Sequence, residues 1–533
     1  MVVDHTNIDT AAAASIEDLA ECTASVDAQI ETVLRGVMAQ RRSVSVALDY
    51  LTVLGSGVKA NCWSLAEAAG HDGQGRMQGL LGAYRWDWTR LRDQLSGLAA
   101  AWIPDSPQDL IGPGIAIDET AQLKKGEATA CVAPQHAGCT GTVENCVTTV
   151  FCAYVTANGQ AWVDFDVYMP QRWASDAARR RAAGIPDELP FATKPQLAMN
   201  QLDRQVAAGS PARWVAFDEV YGRSEPLRNK AAEHGLAYVG IIPCDYQIRL
   251  PSGAAIRADQ AVPDAVFERR SVGNGSKGPR YSDWAMTATA VPGQYLLIRR
   301  LLSRPDSYTF YLCWAPPDRP ATMTYFITIA GRRWPVETTF ETGKDVFGWD
   351  QTQVRSRDGI CRHTALAALA QLRAAAIRNT ITGSITLPAD TDTDTDTDTD
   401  DGTSDTSTAT GDDGDDGGDD GDDGGDDGDG GDDGGGDDGD GGAVSNADLQ
   451  IPLGDAPVPV RAGQPCPPEL GPIKLSIAET TRLTGLAARH TKGLITRARL
   501  AFALRWSLRR RLHQARARWH HYSTRLQAVT DTG

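Results

Sequence analysis

None of the ten cysteines forms a Cys-x-x-Cys pair, and no matching histidine pair occurs among the nine histidines, which excludes a zinc finger or ribbon. Cys131, Cys139, Cys146 and Cys152 crowd together, but two of them fall inside a strand-like run. Reduced, mostly buried thiols are expected there, not a secreted disulfide framework. No apolar run approaches the roughly 18 residues that a membrane span needs. Residues 1–27 are Ala-rich and acidic, with no basic stretch followed by an apolar core, so no secretory signal is expected.

Basic charge also looks scarce, with a formal net charge of -17. Residues 390–440 account for this, since they hold 24 Asp and no Lys or Arg; without them 52 basic residues face 45 acidic ones, a net +7. That Thr-Asp repeat and the Asp/Gly repeats after it have almost no apolar content and repel themselves. A disordered linker is expected over residues 383–442. The repeats lack the regularly placed large apolar residues of calcium-binding nonapeptides. Beyond the linker the charge reverses, and residues 443–533 carry 14 Lys or Arg against 5 Asp or Glu.

What is present is a set of three well-placed acids. Asp118 closes the apolar run Gly-Ile-Ala-Ile-Asp118, and Asp218 closes Arg-Trp-Val-Ala-Phe-Asp218. Both runs read as buried strands ending in a carboxylate. Glu337 lies between Arg333 and Lys344 at spacings of four and seven, which set all three on one helical face. Mg2+ takes hard oxygen ligands, and two ions held by a few carboxylates can drive an in-line displacement at a phosphodiester. Any one of the three would pass as a turn aspartate or a salt-bridged helix residue. Together they point to a two-metal nuclease centre, with Asp118, Asp218 and Glu337 as the metal ligands.

The segments around these acids resemble a known family. Ile117-Asp118-Glu-Thr-Ala-Gln-Leu-Lys-Lys-Gly126, Phe191-Ala-Thr-Lys-Pro195, Ala216-Phe-Asp218-Glu-Val-Tyr-Gly222 and Arg333-Trp-Pro-Val-Glu337 look like the DDE transposases of bacterial insertion sequences. More narrowly, they resemble the IS-four superfamily and its IS-seven-oh-one branch. The resemblance runs from about residue 30 to about 375 and resumes near residue 505. The family's third motif is Tyr, two residues, Arg, three residues, Glu, six residues, Lys. Arg333, Glu337 and Lys344 match it, and Ala330 replaces the tyrosine. The resemblance implies that Asp118, Asp218 and Glu337 form the catalytic triad and that Arg333 and Lys344 grip the DNA backbone. It also implies Mg2+, with Mn2+ as a substitute, double-stranded DNA at element ends and target, and a homodimer in the synaptic complex. The expected location is the bacterial cytoplasm at the nucleoid, with no membrane partner.

The order of elements supports an α/β fold independently. After Asp118 come a β-rich run from Glu144 to Thr156, the turn signal Asn158-Gly159 and the alternating run Ala161 to Tyr168. A helical stretch, the Asp218 strand, a further helix and the strand Leu236 to Pro243 follow. This order describes an RNase H-like catalytic core, over residues 113–382. The segment from about 245 to 325 is too long for a loop and reads as a β-rich insertion, which in the resembled transposases helps handle the cleaved DNA end. Trp284 in the insertion reads as a core residue in preference to one that stacks on an unpaired base.

Residues 1–112 read as a helical N-terminal DNA-binding domain. Ser64 to Gly70 followed by Arg76 to Leu81 has helix-turn-helix spacing, a pattern shared by many ordinary helix pairs. Residues 443–533 read as a basic helical C-terminal region. Leu500, Leu504, Leu508, Leu512, Ala515 and Trp519 mark its apolar face, while Arg505, Arg509, Arg510, Arg511, Arg516 and Arg518 fall mainly elsewhere. Arg509, Arg510 and Arg511 are thus candidates for DNA contact. Lys124 and Lys125, just past the first strand, are candidate phosphate contacts, with a solvated loop as the competing reading. The expected function is metal-dependent strand cleavage and transfer at the ends of the chain's own insertion sequence. The alternatives are a metal-dependent nuclease that does not rejoin DNA and a non-catalytic, transposase-derived DNA-binding regulator.

Overall fold

The computed structural model describes residues 5–263, 265–275, 278–333, 335–384 and 475–531. The acidic linker expected over 383–442 therefore lies outside the described residues beyond 384, as do residues 443–474 of the basic region. Described residues 5–384 and 475–525 belong to one compact unit.

Five strands form the centre of the sheet. These are β1 Gly114–Leu123, β3 Thr142–Thr156, β4 Gly159–Val167, β5 Trp214–Phe217 and β6 Ala237–Ile242, with β2 Ala133–Ala137 beside the start of β3. β1, β3 and β4 are antiparallel neighbours, whereas β5 pairs parallel to β1 and β6 parallel to β5. The order β4–β3–β1–β5–β6, an antiparallel meander followed by two parallel strands, is the RNase H-like arrangement that the sequence predicts. β5 reads as a continuous apolar run because all four of its residues are buried, as parallel strands covered on both faces require. The turn between β3 and β4 is Ala157-Asn158, one position earlier than Asn158-Gly159. β2, with Pro134, Gln135 and His136 in five residues, has no strand-like pattern and was not anticipated.

Residues 245–325 are largely β, as expected. β7 Gln247–Arg249 and β8 Ala255–Arg257 make a separate hairpin. β9 Glu268–Gly275, β10 Gly278–Ala288, β11 Gln294–Arg300 and β12 Tyr308–Trp314 extend the main sheet, since β12 pairs antiparallel with β6. Trp284 is fully buried against Tyr311, with ring centroids 5.9 Å apart, in agreement with the core reading.

One long helix, Arg357–Ser384, organises the other elements. Residues 359–377 are all buried, so this stretch of the helix has no solvent face. Its polar side chains are accordingly paired. Gln371 accepts from the Trp162 amide at 3.0 Å and donates to the Thr339 carbonyl at 3.1 Å, tying β4 to the segment that carries Glu337. Arg373 pairs with Asp27 at 2.5 Å on the N-terminal helix His5–Val37. His363 is hydrogen-bonded to the Tyr50 hydroxyl at 2.6 Å and the Trp349 carbonyl at 2.9 Å.

Burial pushes the His363 imidazole down to about 4, with the Trp349 carbonyl opposing. A histidine whose folded value lies below its unfolded value near 6.5 binds fewer protons when folded. The stability it protects is therefore present above about pH 6.5 and lost as the pH falls toward 4. His363→Gln should flatten the pH dependence of the thermal midpoint between pH 6.5 and 4 relative to wild type. An unchanged slope would remove His363 from that account.

Helices Ile477–Thr491 and Arg497–Asp531 join the same core through Leu483, Ala487, Leu500, Leu504 and Leu508. Arg511 belongs to this buried face too, at 3% exposure. It lies seven residues after Leu504, in phase with the leucines. The expectation that Arg511 faces DNA is thus corrected by its burial. Of the suggested helix-turn-helix, the first helix is Cys62–Ala68 and the second a single turn, Gly75–Gln78, running into a wider π turn, Gly79–Ala83. Met77, Leu80 and Leu81 are buried, while Gly75, Arg76 and Gln78 are exposed.

Candidate active site

Parallel pairing of β1 and β5 places Ile117 opposite Phe217, so Asp118 and Asp218 are the next residues on adjacent strands. β5 stops at Phe217 while β1 runs on to Leu123 paired with β3, so Asp118 sits mid-strand and not at a strand end as expected. The carboxylate emerges where β1 loses its parallel neighbour. Asp218 caps the one-turn helix Glu219–Gly222, accepting from the Tyr221 amide at 3.1 Å. That turn lies hard on β6. A Cβ at Gly222 would stand 2.0 Å from the Ile241 carbonyl oxygen, so only glycine fits there.

Glu337 arrives from the far side of the insertion on the helix Pro335–Glu341, preceded by the helix Met323–Arg333. Val336 and Phe340 anchor this helix, with Phe340 against Phe151 and Trp162 at centroid distances of 5.7 and 6.0 Å. Arg333 then bridges two of the acids, at 3.0 Å to Asp118 and 3.2 Å to Glu337. Arg333 ends one helix and Glu337 lies on the next, not on the single helix expected, and Arg333 links Glu337 to Asp118 on the first strand.

Lys344 lies beyond the regular helix. The chain widens into a π turn at Thr342–Val346, and a Cβ at Gly343 would lie 2.1 Å from the Trp162 ring. The electrostatic neighbour of Lys344 there is Asp350. Lys124 likewise points inward and donates to the Thr352 carbonyl at 2.9 Å, with burial pulling its ammonium down to about 8. It stands six residues along the strand from Asp118, about 20 Å at strand spacing. Lys125 is exposed.

The site also contains a group that the sequence reading did not assign. Glu119 accepts from the Tyr221 hydroxyl through one carboxylate oxygen and pairs with Lys194 at 2.5 Å through the other. Lys194 opens the helix Lys194–Ala207, whose start is fixed by a Thr193–Gln196 capping box. Lys194 and Tyr221 stand inside two of the sequence segments singled out above, which was the only available signal. Both reach Glu119 from far along the chain. Lys194→Met removes one of two partners from this half-buried carboxylate and should cost about 1–3 kcal/mol, read as the midpoint shift in urea unfolding. A shift too small to detect would make the pair a surface contact.

Burial and the neighbouring Asp218 push the Asp118 carboxyl up to about 7, against the opposing pull of Arg333. Burial and Glu119 push Asp218 up to about 6. Burial also raises Glu337, with Arg333 opposing. Among the described residues no three His, Cys, Asp or Glu side chains are gathered closely enough to hold a metal ion. The donor chemistry nevertheless fits one, because crowded, dehydrated carboxylates are stabilised by a divalent cation. On the other side of Arg333, a cavity of about 310 Å³ is lined by Arg280, Arg299, Trp284, Tyr311 and Ala330. Three arginines, counting Arg333, thus face a space beside the acids.

Residues 34–282 match the family model described as DDE superfamily endonuclease, and residues 193–372 match that of the transposase DDE domain. The chain belongs to the DDE transposase superfamily. No curated protein matches it in sequence. Among solved structures it is similar to a piggyBac transposase synaptic complex with hairpin DNA. The identity there is 11%, over 65% of this chain and 67% of that one, with a TM-score of 0.33. The assignment of this DDE core therefore rests on its strand order and on the family models. No helix among the described residues of this DDE protein is long and apolar enough to cross a membrane.

Proposed function

We propose that this DDE protein is a cut-and-paste transposase that cleaves DNA at the ends of its own insertion sequence and joins the freed ends to target DNA. The observation that carries the reading is that Asp118 and Asp218 follow paired residues where β1 outruns β5, while Arg333 ties Asp118 to Glu337. Asp118, Asp218 and Glu337 would hold Mg2+, with Mn2+ as a substitute. When bound, the metal supplies the positive charge that polarises a phosphodiester and acidifies an attacking water or 3'-hydroxyl.

The protein's own groups bind and orient. Arg333 is held between two carboxylates and directs its remaining guanidinium surface toward the arginine-lined cavity, where a phosphate of the DNA end fits. Glu119, fixed by Lys194 and Tyr221, adds negative charge next to Asp218 and so favours cation binding. Arg280 and Arg299 continue the basic lining onto the β insertion. Lys344, Lys125, Arg509 and Arg510 remain proposed contacts to the DNA backbone, and a homodimer is the proposed synaptic form. Phosphoryl transfer of this kind needs positioning and charge stabilisation, with no covalent protein nucleophile.

The test is incubation with Mg2+ of a plasmid carrying the gene and its flanking DNA, with every break and junction mapped for wild type and Glu337→Gln. Breaks at the edges of an inverted repeat together with joined products, both lost in Glu337→Gln, are expected. Scattered cuts without joining would establish a general nuclease. Binding to the flanks without cutting would establish a regulator.

A further inference from the structure

We propose that the outer face of the C-terminal helix Arg497–Asp531 is a binding site for single-stranded DNA, separate from the DDE centre. At about 100° per residue, Leu500, Leu504, Ser507, Leu508 and Arg511 fall on one side of this helix, and all are buried. Phe502, Arg505, Trp506, Arg509 and His513 fall on the opposite side, within roughly 100° of one another. Phe502 and Trp506 are exposed, at 52% and 45%, and among the described residues they share this with Trp63 and Phe191, which lie elsewhere in the chain. Their ring centroids stand 6.3 Å apart. Arg505 lies over the Phe502 ring at 5.3 Å and Arg509 over the Trp506 ring at 5.5 Å.

The surroundings favour a polyanion. Residues 477–531 contain twelve Lys or Arg and two acids, Glu479 and Asp531. Glu479 is already engaged by Arg510 at 3.0 Å and Arg482 at 3.9 Å. Arginines steady the two rings while adding positive charge, which matches a strand offering phosphates and base faces in alternation. A duplex hides its base faces in the stack and can use only the arginines. A second copy of this face would set arginine against arginine. A membrane-seeking helix would present a continuous apolar stripe, whereas here two rings alternate with guanidiniums.

The experiment uses the full chain carrying Asp218→Asn, so that binding is measured without cleavage and whatever the fate of the catalytic reading. Fluorescence anisotropy at one moderate salt concentration compares a labelled oligo-dT with a duplex of equal length. Phe502→Ala with Trp506→Ala should weaken oligo-dT binding about 30-fold or more, from roughly 1 kcal/mol or more of stacking per ring, and duplex binding less than about threefold. Trp506→Phe should keep most of the oligo-dT affinity and Trp506→Leu should not. An unchanged thermal midpoint checks that these exposed positions do not affect folding. Equal losses on both DNAs, or a leucine as good as tryptophan, would overturn the proposal. So would loss of binding to anionic phospholipid vesicles, or loss of a dimer in sedimentation, with oligo-dT affinity unchanged.

Discussion

Asp118→Asn is expected to lower Mg2+-dependent end cleavage by at least about a thousandfold while making the folded protein more stable. The rate loss follows from removing a proposed ligand of a metal whose charge contributes several kcal/mol to the transition state. The gain in stability follows from the site itself. Asp118 and Asp218 leave two adjacent parallel strands side by side, both dehydrated, and each is pushed above the usual carboxylate range. A carboxyl whose folded value is raised destabilises the fold once the pH exceeds its unfolded value near 4, and the full penalty is present above about pH 7. An amide of the same shape carries no such penalty, so the thermal midpoint of Asp118→Asn should exceed that of wild type at pH 8 and approach it at pH 4. The same values predict cleavage that rises with pH through 6 and 7 as the pair loses its protons. A variant that is both inactive and less stable at pH 8 would mean that Asp118 is structural.

Arg204→Met should destabilise the protein by about 3–5 kcal/mol, the largest loss expected from a single substitution outside the site. Asp164 on β4 is 2% exposed and accepts two hydrogen bonds from this guanidinium, at 2.8 and 2.9 Å, besides one from the Phe165 amide at 2.7 Å. Arg204 also pairs with Asp166, and Arg92 approaches Asp164 at 3.5 Å. Burial raises the Asp164 carboxyl and Arg204 lowers it, so without the arginine a buried charge is left with the Phe165 amide and the more distant Arg92. Replacing both members, as Asp164→Leu with Arg204→Met, should recover most of the loss in urea unfolding, because the desolvation cost leaves with the charge. The clamp also bears on the active site. Arg204 holds the helix whose first residue, Lys194, braces Glu119, so cleavage by the single variant should fall even below its unfolding temperature.

The parts of this fold that were legible in the sequence are those fixed by local pattern or strand order. Apolar runs gave the strands, and the order of strands and helices put Asp118 beside Asp218. Four-residue spacing brought Arg333 to Glu337, although the two stand on successive helices. Features set by long-range packing were not legible. Lys344 falls in a π turn beside Gly343, which must clear Trp162, a residue 181 positions earlier. Lys124 looks like a loop cation until Thr352 is folded over it. The Glu119 contacts span 75 and 102 residues, beyond any periodicity. Arg511 is the one error that the sequence itself contradicted, since its helical phase put it with the leucines.

The helix Arg357–Ser384 has coverings that a ribosome delivers at different times. Its N-terminal partners, including Asp27 and Tyr50 through His363, are already synthesised when it emerges. The helix Ile477–Thr491, which also packs on it, comes about a hundred residues later. At roughly 5–20 residues per second, that interval leaves an apolar surface uncovered for about 5–20 s on every nascent chain. During that window the growing chain offers a binding surface to chaperones, and to other unfinished copies on the same messenger. Translation speed through the Asp/Gly repeats then becomes a determinant of how much protein reaches the folded state.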